Sequence, residues 1–324
     1  MLLGRAGKCP VDFAKAFVRG KPGWIFYDAI GDGAHFAPGR LDDGIARSAQ
    51  GGIHGKNAFG RHGGRFDACR HARNIDFMRW HALMRCGTRR GIRVMQNKKL
   101  FLFDIDGTLL LTGRAGEHAL RHALRERFGV EDDLSSISFA GSTDGAIVRQ
   151  MFSAHDIPST PENITDLLDG YVYHLARELP RRDGCVLPGI VALLEELHAR
   201  KDCVLGLLTG NVEKGAELKL THYGVWHYFE FGAFADDHVD RNKLGPVAHS
   251  RAVEKHGVHF AAADVFVLGD TPRDIDCARA AGFVAVAIAT GGSGVEQLAA
   301  HRPDFLFENL ADTRDVMRKL LGEA

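Results

Sequence analysis

The sequence predicts an α/β fold, a doubly wound and mostly parallel sheet with a helical insertion after its first strand. Three observations carry that expectation. Short apolar runs recur at Phe101–Phe103, Leu205–Leu208 and Val265–Leu268, with the length and continuity of strands buried on both faces. Stretches with helical spacing of apolar residues separate them, the alternation expected of a parallel sheet. Each run also ends in side chains capable of chemistry: Asp104 and Asp106 after the first, Thr209 after the second, Asp270 after the third. Open α/β sheets bind ligands at the carboxyl ends of their strands.

Residues 1–94 come first and look unlike the rest. They are rich in Gly, Arg and His, hold seventeen Lys or Arg against seven Asp and no Glu, and show little periodicity. Such a composition buries too little apolar surface to offset chain entropy, so disorder is expected. Arg-rich, acid-poor leaders can be targeting segments, but Ser48 is the single serine here, which argues against a transit peptide. Alternatively the native chain starts at Met95, which runs straight into the first strand, and the leader is an annotation artefact. The histidines of this tract read as solvated.

After Asp104-Ile105-Asp106-Gly107-Thr108, a helix is expected with Ala119, Leu120, Ala123 and Leu124 on one face. Phe139-Ala140-Gly141-Ser142-Thr143-Asp144-Gly145 then leads into a second helix backed by Ile147, Val148 and Met151, and Ser142, Thr143 or Asp144 suits its N-cap. A third helix, Pro161 to Leu179, carries Tyr171 and Tyr173 as packing residues. Pro188-Gly189 opens a helix with Val191, Leu193, Leu194 and Leu197, ending in basic residues as helix C-termini prefer. The strand that delivers Thr209 and a helix from Val212 to His222 follow. Tyr228 to Ala235 reads as another strand, closed by Asp236 and Asp237, taken as surface carboxylates. Beyond Asp270, a helix spans Asp274 to Ala281 and a strand Phe283 to Ala289. Thr290-Gly291-Gly292-Ser293-Gly294 turns into a helix without the Gly-Lys-Ser/Thr of a Walker loop. Asp304 to Phe307 makes an edge strand before the last helix.

Side chains in a strand repeat with period two, so Asp104 and Asp106 leave on the same side. Like charges that close need a cation, or one must hold a proton. An ordinary strand followed by an Asp-Gly turn would explain the pair equally well if it stood alone. It does not: Thr209-Gly210-Asn211 supplies a hydroxyl and free backbone N–H groups at the mouth of a helix, suited to phosphate oxygens. Arg241 and Lys243 supply positive charge, and Gly269-Asp270-Thr271-Pro272-Arg273-Asp274 two further carboxylates.

This ordered set, over roughly residues 97–320, resembles the haloacid dehalogenase-like (HAD) phosphatase superfamily, and within it the phosphoglycolate phosphatase group with a helical cap. The resemblance implies a HAD-like Rossmannoid core in residues 95–112 and 187–324 and a cap in residues 113–186. It casts Asp104 as the nucleophile that forms an aspartyl-phosphate and Asp106 as general acid and base. Thr209, Gly210 and Asn211 become phosphate-binding residues, and the loop with Thr143 and Asp144 helps choose substrate. Mg²⁺ falls to Asp104, the Asp106 main-chain carbonyl, Asp270 and Asp274. For the third motif Arg241 is preferred over Lys243, because Leu244, Val247, Ala248 and Arg251 then form the following helix. The expected substrate is a small phosphorylated metabolite. A capped phosphomutase or a 2-haloacid dehalogenase shares much of this core; a non-catalytic binding module would have no use for all four motifs.

Composition bounds the rest. A chain of 324 residues at 45% hydrophobic is long enough for about two domains. The formal net charge of zero conceals a basic leader and an acidic remainder, which gives no case for nucleic acid. Six cysteines without C-x-x-C spacing suit reduced thiols in the cytoplasm. No apolar run approaches the roughly 20 residues of a membrane span.

Overall fold

A computed structural model describes residues 98–322; the expectations for residues 1–94 and for a start at Met95 lie outside the described residues. The strands are β1 (Lys99–Phe103), β2 (Leu110–Leu111), β3 (Cys185–Val186), β4 (Cys203–Leu208), β5 (Gly232–Ala233), β6 (Val265–Gly269), β7 (Val284–Ile288) and β8 (Phe305–Phe307). The helices are α1 (Ala115–Phe128), α2 (Asp144–Ala154), α3 (Pro161–Glu178), α4 (Ile190–His198), α5 (Glu213–His222), α6 (Leu244–His256), α7 (Pro272–Ala280), α8 (Val295–Ala300) and α9 (Thr313–Leu321). Six strands form one sheet in the order β5-β4-β1-β6-β7-β8, every pair parallel.

The alternation of β1 shows why its run is apolar throughout. Phe101 and Phe103 enter one core with residues of α4, α5 and α9, while Leu100 and Leu102 enter another with residues of α6, α7 and α8. Helices cover both faces, so beyond half-buried Lys99 at its start β1 is apolar on both. Chain order reverses beside β1: after β4 and β5 build outward on one side, β6 returns to its other flank. That is the switch point at which doubly wound sheets open a crevice.

Helices α1 to α3 bury a third apolar cluster of their own, including Ala119, Leu120, Ala123, Leu124, Val148, Met151 and Tyr171. Two features of the connections differ from expectation. β2 and β3 pair antiparallel, Leu110 with Val186 and Leu111 with Cys185, tying together the exit to and return from the helical insertion. Two-residue strands are too short to show a period. The segment Tyr228 to Ala235 is not a strand along its length: Trp226–Tyr228 is a single helical turn and only Gly232–Ala233 pairs, at the end of β4. Its apolar residues Tyr228, Phe229 and Phe234 are buried by packing against the core beneath the sheet edge rather than by strand pairing. Val191 on α4 also departs from expectation, at 43% exposure.

Candidate active site

The site is built where β1, β4 and β6 end. Asp104 follows β1 directly, its N–H donating to the Leu268 carbonyl at 2.9 Å, and is 5% exposed. The chain then turns sharply: the N–H groups of Thr108, Leu109 and Leu110 all point to the Ile105 carbonyl, and Gly107 takes φ +87°. A Cβ at Gly107 would collide with the Asp270 carboxylate, so both conformation and space require glycine. Asp270 follows β6, and Thr108 Oγ1 donates to its Oδ1 at 3.3 Å. Gly291, in the turn after β7, also packs against the Asp270 carboxylate.

Asp274 opens α7 in a capping box with Thr271, its Oδ2 accepting from the Thr271 N–H at 3.0 Å and hydroxyl at 2.7 Å. Asp104, Asp270 and Asp274 each bring an oxygen within 4.8 Å of the others, all three buried. Arg241 sits on a single turn, Arg241–Lys243, held by the Asp240 side chain. Its guanidinium lies 3.1 Å from Asp104 and pairs with Asp274 Oδ1. Lys243 is exposed. Arg241 is therefore the basic residue that the fold brings to the cluster.

Three buried carboxylates against one guanidinium leave negative charge in a dry place. Burial pushes Asp104 up to about 6, with Arg241 opposing and Asp274 and Asp106 adding to the rise. Asp270 is driven to about 8, first by burial, then by Asp274 and Asp104. Burial works against the charge of Arg241, yet Asp274 and Asp104 outweigh it and hold the guanidinium firmly protonated. One guanidinium does not balance three carboxylates, and an all-oxygen cluster of this kind fits a hard divalent ion.

Asp106 stands two residues beyond Asp104 in different company. Its side chain is 42% exposed, and its Oδ2 accepts from Asn211 Nδ2 at 2.9 Å and Lys219 Nζ at 2.6 Å. Asn211 in turn donates to Thr209 Oγ1 at 2.9 Å and accepts from Lys219 at 2.6 Å. Thr209 is fully enclosed, so its hydroxyl first serves to fix Asn211. Lys219, only 4% exposed, was not anticipated from the motifs. Its signal lay in the period of α5, where Gly215, Ala216, Lys219 and Leu220 make the buried face. A lysine on that stripe needs a buried partner. Burial opposes its charge, but Asp106, Tyr171 and Asp144 raise its pKa.

Asp144 lines the cleft, and Thr143 stands next to it at the start of α2. Thr143 caps α2, accepting from the Ala146 N–H at 3.2 Å and donating to the Val239 carbonyl at 2.7 Å; it is 1% exposed. Its hydroxyl thus joins the start of α2 to the segment before Arg241. Asp144 clasps the loop after β4: its N–H donates to the Gly210 carbonyl at 2.7 Å and its Oδ2 accepts from the Val212 N–H at 2.8 Å. A Cβ on Gly210 would strike the Ser142 carbonyl, so glycine there lets this loop lie against the segment that leads into α2. Asp236 and Asp237 stay outside the cluster, bonded to the Glu213 N–H and to Arg251. Tyr171 is buried and Tyr173 is 49% exposed.

Asp104, Asp106, Asn211, Lys219, Arg241 and Asp270 are among the residues that line a cleft of about 430 Å³. Asp104, Asp106, Arg241 and Asp270 make its floor; Leu120, Phe139, Ile147 and Tyr171 reach it from the helical insertion.

Comparison with known proteins agrees with this arrangement. A family model described as haloacid dehalogenase-like hydrolase matches residues 101–288. The chain is 28% identical over 226 residues to a probable phosphatase, IndB, of Dickeya dadantii, covering 69% of this chain and 95% of that protein. It is 27% identical over 227 residues to a phosphoglycolate phosphatase of Vibrio vulnificus, covering 68% and 97%. A crystal structure of a hydrolase from Pseudomonas syringae shares the fold with a TM-score of 0.55 at 20% identity, covering 68% of this chain and 99% of that one.

Proposed function

The chain belongs to the haloacid dehalogenase-like hydrolase family, and from that premise we propose that it is a Mg²⁺-dependent phosphatase of small phosphorylated metabolites, similar in action to phosphoglycolate phosphatases. The observation that carries this reading is the cluster of Asp104, Asp270 and Asp274 around Arg241 at the carboxyl edge of the sheet.

Asp104 attacks phosphorus: an oxygen–phosphorus bond forms to its carboxylate while the bond to the leaving oxygen breaks, giving an aspartyl-phosphate. Asp106 donates a proton to that leaving oxygen. In the second half Asp106 takes a proton from water as the water oxygen attacks phosphorus, which breaks the bond to Asp104 and releases phosphate. Arg241 holds Asp104 in place and offsets charge on the transferring group; its buried Nε has no acceptor among the described residues. The loop Thr209-Gly210-Asn211 receives phosphate oxygens. Mg²⁺ would be held by Asp104, Asp270 and the Asp106 carbonyl, with Asp274 steadied between Arg241 and Thr271, and would supply positive charge to the phosphoryl group. A dehalogenase would have no use for the excess of buried carboxylates.

The helical insertion, residues 113–186, serves as the cap that encloses the leaving group. Among the described residues no helix is long and apolar enough to cross a membrane. We place the protein in the cytoplasm, acting on small molecules rather than nucleic acid. Release of phosphate from p-nitrophenyl phosphate that requires Mg²⁺ and is lost in Asp104→Asn tests the reading, and a panel of phosphometabolites including 2-phosphoglycolate identifies the substrate.

A further inference from the structure

We propose that Lys219 is the positioning residue for leaving-group protonation, fixing the Asp106 carboxyl so that Oδ1 alone faces the reacting bond. The proposal rests on the phosphatase reading and goes beyond it, since Lys219 belongs to none of the four motifs.

Three groups close a ring. Lys219 Nζ donates to Asp106 Oδ2 and to Asn211 Oδ1, each at 2.6 Å, and Asn211 Nδ2 donates to the same Asp106 Oδ2 at 2.9 Å. Two donors thus hold one oxygen of Asp106, and no hydrogen bond among the described residues reaches the other. A half-exposed aspartate otherwise samples several rotamers, whereas proton transfer needs its oxygen within hydrogen-bond reach of the leaving atom. Asn211 is itself anchored on Thr209 at 2.9 Å, so the ring is tied to the end of β4.

The insertion closes the other side of the ammonium. A Cβ on Gly116 of α1 would stand 3.7 Å from the Tyr171 hydroxyl and 3.8 Å from Lys219 Nζ, so α1 and α3 both meet the lysine here. A buried ammonium is costly unless paired. A simple structural tether would not need its cation at a cleft wall, against a half-exposed carboxylate that lines the cleft. The arrangement lets the insertion that contacts the leaving group also set the group that protonates it.

The test compares two substrates of similar shape and different leaving-group basicity. p-Nitrophenolate departs without help, whereas phenolate needs a proton. In Lys219→Met, kcat on phenyl phosphate should fall at least about tenfold further than kcat on p-nitrophenyl phosphate, with KM nearly unchanged, as removal of part of a general-acid contribution of ~10²–10⁴ requires. On an Asp106→Ala background the same substitution should add no further loss on phenyl phosphate, because residues acting as a unit are non-additive. If Lys219→Met does not fold, Lys219→Ala, which leaves room for water beside Asp106, should give the same substrate-dependent loss. Equal loss on both esters, or additive losses with Asp106→Ala, overturns the proposal. A wild-type protein that releases no phosphate from either ester overturns the phosphatase reading itself, and the two failures are told apart by that control.

Discussion

Asp104 and Asp106 leave the same strand end two residues apart, yet they live in opposite surroundings. Asp104 is 5% exposed, faces Arg241 and shares its space with two other carboxylates. The Asp106 side chain is 42% exposed and is held by Lys219 and Asn211. The spacing makes the pair; distant segments make the members different. Segments around residues 241 and 270–274 arrive on one side, and the loop and helix after β4 arrive on the other. A dry, charge-crowded carboxylate suits attack on phosphorus beside a cation, and an open carboxyl held by one oxygen suits proton exchange.

The largest effect should separate the two most sharply. Asp104→Asn keeps the shape but removes the nucleophile, so steady-state turnover should fall by at least about 10³-fold with an unchanged circular dichroism spectrum. Retained turnover in protein free of wild type would break the contrast. Next, Arg241→Ala leaves Asp274 and Asp104 without their buried partner. It should cost about 3–5 kcal/mol of stability, read by denaturant unfolding, along with most activity. Lys243→Ala, at an exposed position, should shift stability by no more than about 0.5 kcal/mol. The reverse ranking would move the third motif two residues along.

The charge crowding around Asp104 also has a pH signature. Asp270 is raised to about 8 and Asp104 to about 6, above the ordinary 3.8. Between the ordinary and the raised values the folded, metal-free protein binds protons that the unfolded chain has released. Its stability from these groups is therefore greatest at low pH and is lost as pH rises through about 6 and about 8. A divalent ion competes with the same protons. Mg²⁺ binding near neutral pH should release protons, and its affinity should climb with pH. Calorimetry in two buffers of different ionisation enthalpy checks this; identical heats would contradict it.

The smallest effect reports how closed the Asp104 side is. Cys277 is fully buried, donates its S–H to the Arg241 carbonyl at 3.2 Å, and is pushed up to about 11 by burial. It should resist iodoacetamide in the native protein, where few thiolates form, and react on unfolding. Rapid native labelling at Cys277 would show that the floor under Arg241 opens.

Much of this was legible in the sequence because it rests on continuous local patterns. β1, β4, β6 and β7 are largely apolar runs of five or six residues, and the helices of the insertion carry clear faces. Asp104 and Asp270 are readable as strand-end carboxylates, and Arg241 stands out because α6 begins just beyond it. What was hidden depends on contacts between distant segments. The β2–β3 ribbon is too short to have a period. The aromatic stretch around Phe229 imitates a strand while filling the core instead. Thr143 and Asp144 suit a cap and a ligand contact equally in sequence, and their bonds to Val239, Gly210 and Val212 depend on segments far along the chain. Lys219 resembles any helical lysine in sequence, and it is the packing of α5 that turns it inward against Asp106.

The central claim is that Asp104 and not Asp106 carries the phosphoryl group. Rapid acid quench during turnover of p-nitrophenyl phosphate with Mg²⁺, followed by borohydride reduction and peptide mass spectrometry, reads it directly, since reduction converts a phosphorylated aspartate to homoserine. The account predicts homoserine at position 104 and unmodified aspartate at position 106. Homoserine at 106, or none at either position while phosphate release proceeds, would contradict it.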